Sequence, residues 1–165
     1  MKIVALAGFA LLALGAFALL PRPAPRAGSE PLHYGRDACS RCRMLLAEPG
    51  FAGEIRDARG QLTRYDDLGC LIGALREAHV ETPEAWVEDH ATHQLVPLLR
   101  AALVAGERIR TPMGHGIVAF ADPEAARAFA TAHGARVVAL EALLRKPAPL
   151  AHASPALHQE GSFPR

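Results

Sequence analysis

A short sulfur-rich stretch, the hexapeptide Cys39–Met44 (CSRCRM), holds the residue types with the clearest chemical potential. Its two thiols and one thioether are soft donors, which select Cu(I) or, for thiolates alone, Zn(II) and iron–sulfur clusters. Because a neutral thioether is a poor ligand for Zn(II), the CxxCxM spacing favours Cu(I). Three other interpretations stay open: a CxxC redox pair, a structural disulfide, or two unrelated cysteines beside a core methionine.

A second candidate group lies in the segment Thr111–Gly116 (TPMGHG). Proline and two glycines do not suit a central strand, so this segment is predicted to form a turn that carries Met113 and His115. Taken alone, a surface turn with an incidental histidine is the simpler interpretation. A Cys/Met loop needs one or two further donors, however, and this turn supplies the right types.

The third cysteine, Cys70, comes shortly after Asp66 and Asp67, which we expect to cap a helix. Its position beside Leu71 indicates a buried thiol that acts as a small apolar side chain. An auxiliary copper ligand and a disulfide to Cys39 are the alternatives. With an odd number of cysteines, at least one is unpaired unless it binds a metal or another chain.

Composition excludes several classes of function. The chain has 165 residues, half of them apolar, a formal net charge of +1 and only 5% aromatic residues. One compact domain is expected, and a nucleic-acid partner is not. Arg43 stands where a c-type haem motif needs histidine, so haem attachment is excluded. We find no nucleophile–base pair, no paired carboxylates and no phosphate loop, and we expect a protein that is not an enzyme.

The first twenty residues are predicted to be a targeting segment and not part of the folded domain. Lys2 precedes an unbroken apolar run over residues 3–20, whose length lies between a signal-peptide core and a short membrane-spanning helix. Ala16 and Ala18 offer a cleavage site, and without cleavage the run would anchor the chain with its remainder outside the cytoplasm. We therefore expect export to the periplasm, with either a cleaved signal peptide or an N-terminal membrane anchor.

The pattern beyond this run predicts an α+β fold of two tandem β-β-α-β units with small mixed or antiparallel sheets. A Pro-rich linker over 21–31 precedes a domain over 32–145, and a disordered tail is expected over 146–165. The first unit spans about 45–90, with strands at 51–57, 62–65 and 85–88 and a helix at 68–79. The second unit spans about 98–140, with strands at 101–104, 117–120 and 136–138, a helix at 123–133 and a short helix after it at 140–145.

Three blocks together resemble the NosL family, copper chaperones for the assembly of nitrous oxide reductase: CSRCRM at 39–44, YDDLGC at 65–70 and TPMGHGIVAF at 111–120. The likeness runs over most of the span from about residue 37 to 129, with the order and spacing of the blocks preserved. The resemblance implies an exported, usually membrane-tethered protein with two β-β-α-β units that binds one Cu(I). This chain lacks a lipid-attachment cysteine after the apolar run, so the resemblance leaves its mode of anchoring open.

The resemblance also implies a sulfur-rich copper site built on Cys42 and Met44. Met113 and His115 are the further donors that we expect from the second unit, and Cys39 is either a ligand or a redox partner of Cys42. The expected partners are nitrous oxide reductase, its membrane-bound maturation machinery, or both, together with the membrane if the N-terminal run is retained. The alternative is a periplasmic CxxC thiol–disulfide redox protein, which Pro49 and Gly50 disfavour because they end any helix after the motif.

Overall fold

The computed structural model describes residues 28–78 and 84–145 of the chain. Within these residues, one four-stranded and one three-stranded sheet are joined by helices that pack between and beside them. In chain order the elements are β1 (Gly53–Arg56), β2 (Leu62–Tyr65), α1 (Leu68–Ala78), β3 (Glu84–Glu88), β4 (Leu95–Pro97), a 3-10 helix (Leu98–Arg100), β5 (Ala102–Ala105), β6 (Ile117–Phe120), α2 (Pro123–His133), β7 (Arg136–Val138) and α3 (Leu140–Arg145).

The first sheet has the strand order β2-β1-β3-β4, and all of its neighbouring strands are antiparallel. The turn between β1 and β2 is closed by the carboxylate of Asp57, whose Oδ1 accepts hydrogen bonds from the amides of Arg59 and Gln61 at 2.9 and 2.8 Å. Gly60 has a φ of 81°, a left-handed conformation that glycine adopts without steric cost. Local turn chemistry therefore sets this hairpin.

Helix α1 supplies the largest apolar face of the core. Leu68, Leu71, Ile72 and Leu75 recur with helical spacing, and each is at most 1% exposed. They pack in one cluster with residues of both sheets. Because burying each of these side chains contributes roughly 1.5–3 kcal/mol, this face holds α1 firmly against the sheets.

The second sheet has the order β6-β5-β7, again antiparallel, and α2 packs against all three strands. Asp122 begins α2, since its carboxylate accepts a hydrogen bond from the amide of Glu124 at 2.9 Å, and Pro123 occupies the first turn. Gly134 ends the helix with a φ of 61°. The start and end signals read from the sequence thus coincide with the ends of the helix.

The two sheets meet just beyond the C-terminal end of β3. Asp89 forms an isolated parallel bridge with Ala119 of β6, and the amide of His90 donates to the carbonyl of Ala119 at 2.8 Å. The carboxylate of Asp89, only 3% exposed, accepts hydrogen bonds from Ala121, Ala91 and Thr92. One buried carboxylate therefore links the last residues of β3 to the end of β6.

The predicted α+β fold of two tandem β-β-α-β units is confirmed, with both sheets wholly antiparallel. Strand β4 and the 3-10 helix between the units were not predicted. The described helices include none with the length and apolarity needed to cross a membrane. The apolar run over 1–20, the tail over 146–165 and the predicted last residue of the first helix, His79, lie outside the described residues.

The last residues of the predicted linker lie against the first sheet. The amide of Glu30 donates to the carboxylate of Glu54 on β1 at 2.8 Å, and the guanidinium of Arg56 donates to the carbonyl of Gly28. Side chains of β1, an interior strand of the first sheet, thus hold the segment 28–30 against the domain.

Candidate metal centre

The CxxCxM hexapeptide forms the loop of a small hairpin. Ala38 and Leu45 pair as an antiparallel bridge, and the amide of Cys39 donates to the carbonyl of Met44 at 2.7 Å. Within the loop, the amide of Arg43 donates to the carbonyl of Cys39 at 3.0 Å, and Arg43 takes a φ of 68°. A left-handed conformation costs a non-glycine residue about 1–2 kcal/mol, so the loop turns back sharply at this point under some strain.

Three free thiols converge beneath this loop. The sulfur atoms of Cys39, Cys42 and Cys70 all lie within 4.8 Å of one another. Cys39 and Cys70 are 0% and 2% exposed, whereas Cys42 is partly exposed. A metal about 2.3 Å from three sulfurs in a trigonal arrangement would hold them about 4 Å apart, so little rearrangement separates this cluster from a metal site.

The three thiols differ in acidity because they share hydrogen bonds. The Cys70 thiol donates to the Cys39 sulfur, and this bond, with further bonds from backbone N–H groups and against the opposing effect of burial, lowers the pKa of Cys39 to about 4. The same bond, together with burial, raises the pKa of Cys70. Burial also raises the pKa of Cys42. Cys39 is therefore the most acidic of the three thiols.

Asp67 connects the start of α1 to the second unit. Its Oδ1 accepts a hydrogen bond from the amide of Gly69 at 2.6 Å, as expected of a helix cap. Its Oδ2 accepts hydrogen bonds from the hydroxyl of Thr111 at 2.5 Å and the amide of Met113 at 3.0 Å. The carboxylate is 0% exposed, so it holds the predicted Met/His turn at the N-terminus of α1.

Asp66 holds the chain next to the CxxCxM hairpin, as Asp67 holds the Met/His turn. Its Oδ1 accepts a hydrogen bond from the amide of Ala47 at 2.9 Å, just beyond the CxxCxM hairpin. Burial raises the pKa of Asp66, and its carboxylate is fully buried. Adjacent aspartates thus position both candidate loops around the first turn of α1, a role that the prediction of simple helix caps did not include.

His115 lies at the edge of the thiol cluster. Its Nε2 is 4.0 Å from the sulfur of Cys70. The imidazole rests directly on the backbone of Gly69, because a Cβ built at that position would lie 2.1 Å from the ring's Cγ. Only glycine leaves room for the ring in this position.

The structure thus brings together part of the predicted site. Cys39 and Cys42 are in the cluster, and His115 borders it. Met44 and Met113 lie on the two flanking loops with 50% and 37% of their surfaces exposed. Cys70, interpreted from the sequence mainly as a core thiol, is buried as expected but is also the third member of the cluster. Its position in the first turn of α1, three residues after Asp67, was the signal that could have placed it there.

Among the described residues, the only group of three or more Cys, His, Asp or Glu ligand atoms close enough to share a metal ion is this one. Sulfur is the donor in all three residues, and an imidazole nitrogen is the next ligand in reach. Such donors suit Cu(I), and clustered thiolates also suit Zn(II). The fold and the site together define a small α+β protein with a three-thiol centre, two of whose thiols are buried, beside two loops.

The sequence matches the NosL family over residues 33–146, and the chain belongs to that family. The fold is similar to the crystal structure of the copper chaperone NosL from Shewanella denitrificans, with a TM-score of 0.63 and 21% identity. The match covers 71% of this chain and 96% of that one. No curated protein matches the sequence.

Proposed function

We propose that this protein is an exported Cu(I) chaperone that supplies copper for the maturation of nitrous oxide reductase. The observation that carries the proposal is the convergence of three thiols within 4.8 Å beneath two methionine-bearing loops. Membership of the NosL family and the fold shared with a copper chaperone support it.

The choice of Cu(I) rests on the donor set. Zn(II) sites use thiolate and imidazole, and a thioether adds nothing to them. Here Met44 lies in the hairpin that carries Cys39 and Cys42, and Met113 lies in the turn that carries His115, which Asp67 holds at the N-terminus of α1. Thioethers bind Cu(I) well, and neutral ligands at the surface suit an ion that has to be passed on.

Cys42 is the proposed central ligand because it is the member of the cluster that reaches both the buried thiols and the surface. Met44 supplies a neutral sulfur, and Met113 or His115 supplies a donor from the second unit. Cys39 and Cys70 add sulfur from below, and the lowered pKa of Cys39 favours its thiolate form, which is the form that binds a metal. Binding to Cys42 releases a proton, so copper affinity falls as the pH is lowered.

The same proposal includes the compartment in which the protein acts and the proteins that accept its copper. The apolar run over 1–20 supports export to the periplasm, where it acts either as a signal peptide or as a membrane anchor. The acceptors that we propose are nitrous oxide reductase or its membrane-bound maturation machinery. No catalytic step is assigned to the protein.

Thiol–disulfide exchange is the competing proposal, and the environment of the cysteines disfavours it. An efficient redox thiol is both acidic and accessible. Here the acidic thiol, Cys39, is completely buried, whereas burial raises the pKa of the partly exposed Cys42. Acidity therefore belongs to Cys39 and accessibility to Cys42, so neither thiol combines the two properties.

Anaerobic Cu(I) titration of the protein against a competing chelator tests the proposal. We expect one tight site that is lost in Cys42→Ser and weakened in Met44→Leu, Met113→Leu, His115→Ala and Cys70→Ser. His133→Ala, at an exposed histidine on α2, is the control and should bind copper as the unmodified protein does. If the protein fails to compete with the chelator and a Cys39–Cys42 disulfide forms reversibly at a mild potential, the copper proposal is wrong and a thiol–disulfide redox function is supported.

A further inference from the structure

The surface around the thiol cluster carries an unusual share of the exposed apolar side chains. Five large hydrophobic residues are exposed among the described residues, and three of them, Met44, Leu45 and Met113, lie on the two loops that flank the cluster. Met44 and Leu45 are each 50% exposed. We call the exposed residues of segments 41–45 and 110–113 the rim. Clustered apolar exposure of this kind is typical of a surface that another molecule covers.

The charges of the rim are all positive. Arg41, Arg43 and Arg110 are exposed and lie on the rim. Asp66 and Asp67, behind the two loops, are fully buried and accept hydrogen bonds from loop amides, and Asp37 pairs with Arg64 at 3.2 Å. A like-signed rim selects for partners of opposite charge.

Two of the three arginines are uncompensated. Arg41 pairs with Glu77 at 2.7 Å and lies across Gly73 of α1. Arg43 and Arg110 have no carboxylate within 4.0 Å of their guanidinium groups among the residues that the structure describes. Their positive charges are therefore available to a partner.

The backbone of Arg43 gives an independent indication. With a φ of 68°, this position would suit glycine better than any other residue, yet it carries a long cationic side chain between Cys42 and Met44. Among the residues that the structure describes, no carboxylate pairs with the Arg43 guanidinium, so no ion pair accounts for its presence there. A side chain kept at a strained position and directed to solvent indicates a role outside the fold.

From these observations we infer that the rim is the docking surface for the copper acceptor, and that the acceptor borders its own copper-binding thiols with carboxylates. This inference rests on the proposed function for the identity of the partner as an acceptor of copper. Opposite charges would guide the two proteins together and set their orientation. The apolar side chains would then exclude water around the ion as it passes between them.

Two fluorophore-labelled octapeptides, DDCAACDD and KKCAACKK, are the probes. They present the same pair of thiols with opposite flanking charge, and Cu(I) arriving at the peptide quenches the fluorophore. Transfer from the copper-loaded protein is followed by stopped flow at low and at high salt. We expect about tenfold faster transfer to the acidic peptide at low salt, and near equality in 0.5 M NaCl, where charges are screened.

Variants assign the effect to the rim. The double variant Arg43→Glu/Arg110→Glu should reverse the preference, and Arg43→Gly should reduce it while leaving the hairpin folded. Arg136→Glu, the same charge change at an exposed position on β7, is the matched control and should keep the preference of the unmodified protein. Equal rates for both peptides, or a preference that the double variant does not alter, would overturn the inference.

A copper-free measurement separates this inference from the proposed function. Amide chemical shifts of the apo protein, titrated with each peptide, should change around residues 41–45 and 110–116 for the acidic peptide only. If the protein binds no copper but shows these shifts, the proposed function is wrong and the docking surface stands. If the protein binds copper but shows neither the shifts nor the kinetic preference, the proposed function stands and the docking surface is wrong.

Discussion

At the scale of single residues, the contact between Gly69 and His115 decides where the imidazole lies. A Cβ at residue 69 would come within 2.3 Å of three atoms of the His115 side chain. No rotation of a methyl group relieves such an overlap, so a larger residue would move the histidine or the helix. The position of a candidate ligand is thus set by the absence of a side chain on a different element.

We expect Gly69→Ala to destabilise the protein by roughly 1–3 kcal/mol through this overlap. In a His115→Ala background the overlap is gone, and the same change should be neutral or stabilising by up to about 1 kcal/mol, because alanine is the better helix former. Urea unfolding of the two single variants and the double variant measures the difference. An equal cost of Gly69→Ala in both backgrounds would show that the contact has no energetic weight.

The soft-donor chemistry of the site was predictable at this scale, since Cys39, Cys42 and Met44 adjoin in the sequence. The place of Cys70 was not. Its helical periodicity correctly indicates burial, but periodicity does not say that the buried neighbours are other thiols. That proximity depends on the hairpin folding over the first turn of α1, which is a tertiary contact.

At the scale of elements, the Met/His turn depends on a carboxylate from the other unit. Asp67 both caps α1 and receives the hydrogen bonds of Thr111 and Met113. A buried, charged acceptor with three donors contributes more than a cap at the surface, because each donor would otherwise lose its partner away from water. The turn is therefore tied to α1 by a buried carboxylate.

We predict that Asp67→Asn costs about 2 kcal/mol, because an asparagine has one acceptor oxygen and either the cap or the turn must lose its partner. Hydrogen exchange should accelerate at the amide of Met113 if the turn is the part released. Asp122→Asn on α2 is the matched control, since Asp122 accepts there as a cap and asparagine caps equally well. Equal losses in the two variants would contradict the role assigned to Asp67.

Most elements followed from local signals in the sequence. The Asp122–Pro123 start, the Gly134 end and the apolar face of α1 each depend on residues close together in the chain. Strand β4 (Leu95–Pro97) escaped prediction because three residues show no alternation and Pro97 reads as a breaker. It exists because β3 offers it an edge for pairing, which no local pattern reveals.

At the scale of the whole molecule, Asp89 joins the two units. Burial raises the pKa of Asp89, but hydrogen bonds from the amides of Ala121, Thr92 and Ala91 outweigh that effect and hold its pKa below the ordinary value. A carboxyl whose pKa is lowered by folding stabilises the folded state when ionised. Its contribution is complete above the unfolded pKa, near 4, and is lost as the pH falls through the folded pKa.

We expect Asp89→Asn to lower the free energy of unfolding by about 2 kcal/mol at pH 7, and by less at pH 3, where the unfolded state of the parent protein binds a proton more readily than the folded state does. Urea unfolding at the two pH values measures this. Asp57→Asn, in an exposed turn where the carboxylate also receives two amides, is the control and should cost less. A loss at pH 3 as large as that at pH 7 would contradict the assignment.

The packing of the thiols has a consequence for the folding chain. Cys39 and Cys70 share one buried cluster with Leu103 and Ile117, which lie on strands of the second unit. A chain that lacks the second unit therefore lacks part of the packing that holds these two sulfur atoms side by side. The binding centre is thus a late product of folding, and a truncated chain with every cysteine present would still lack it.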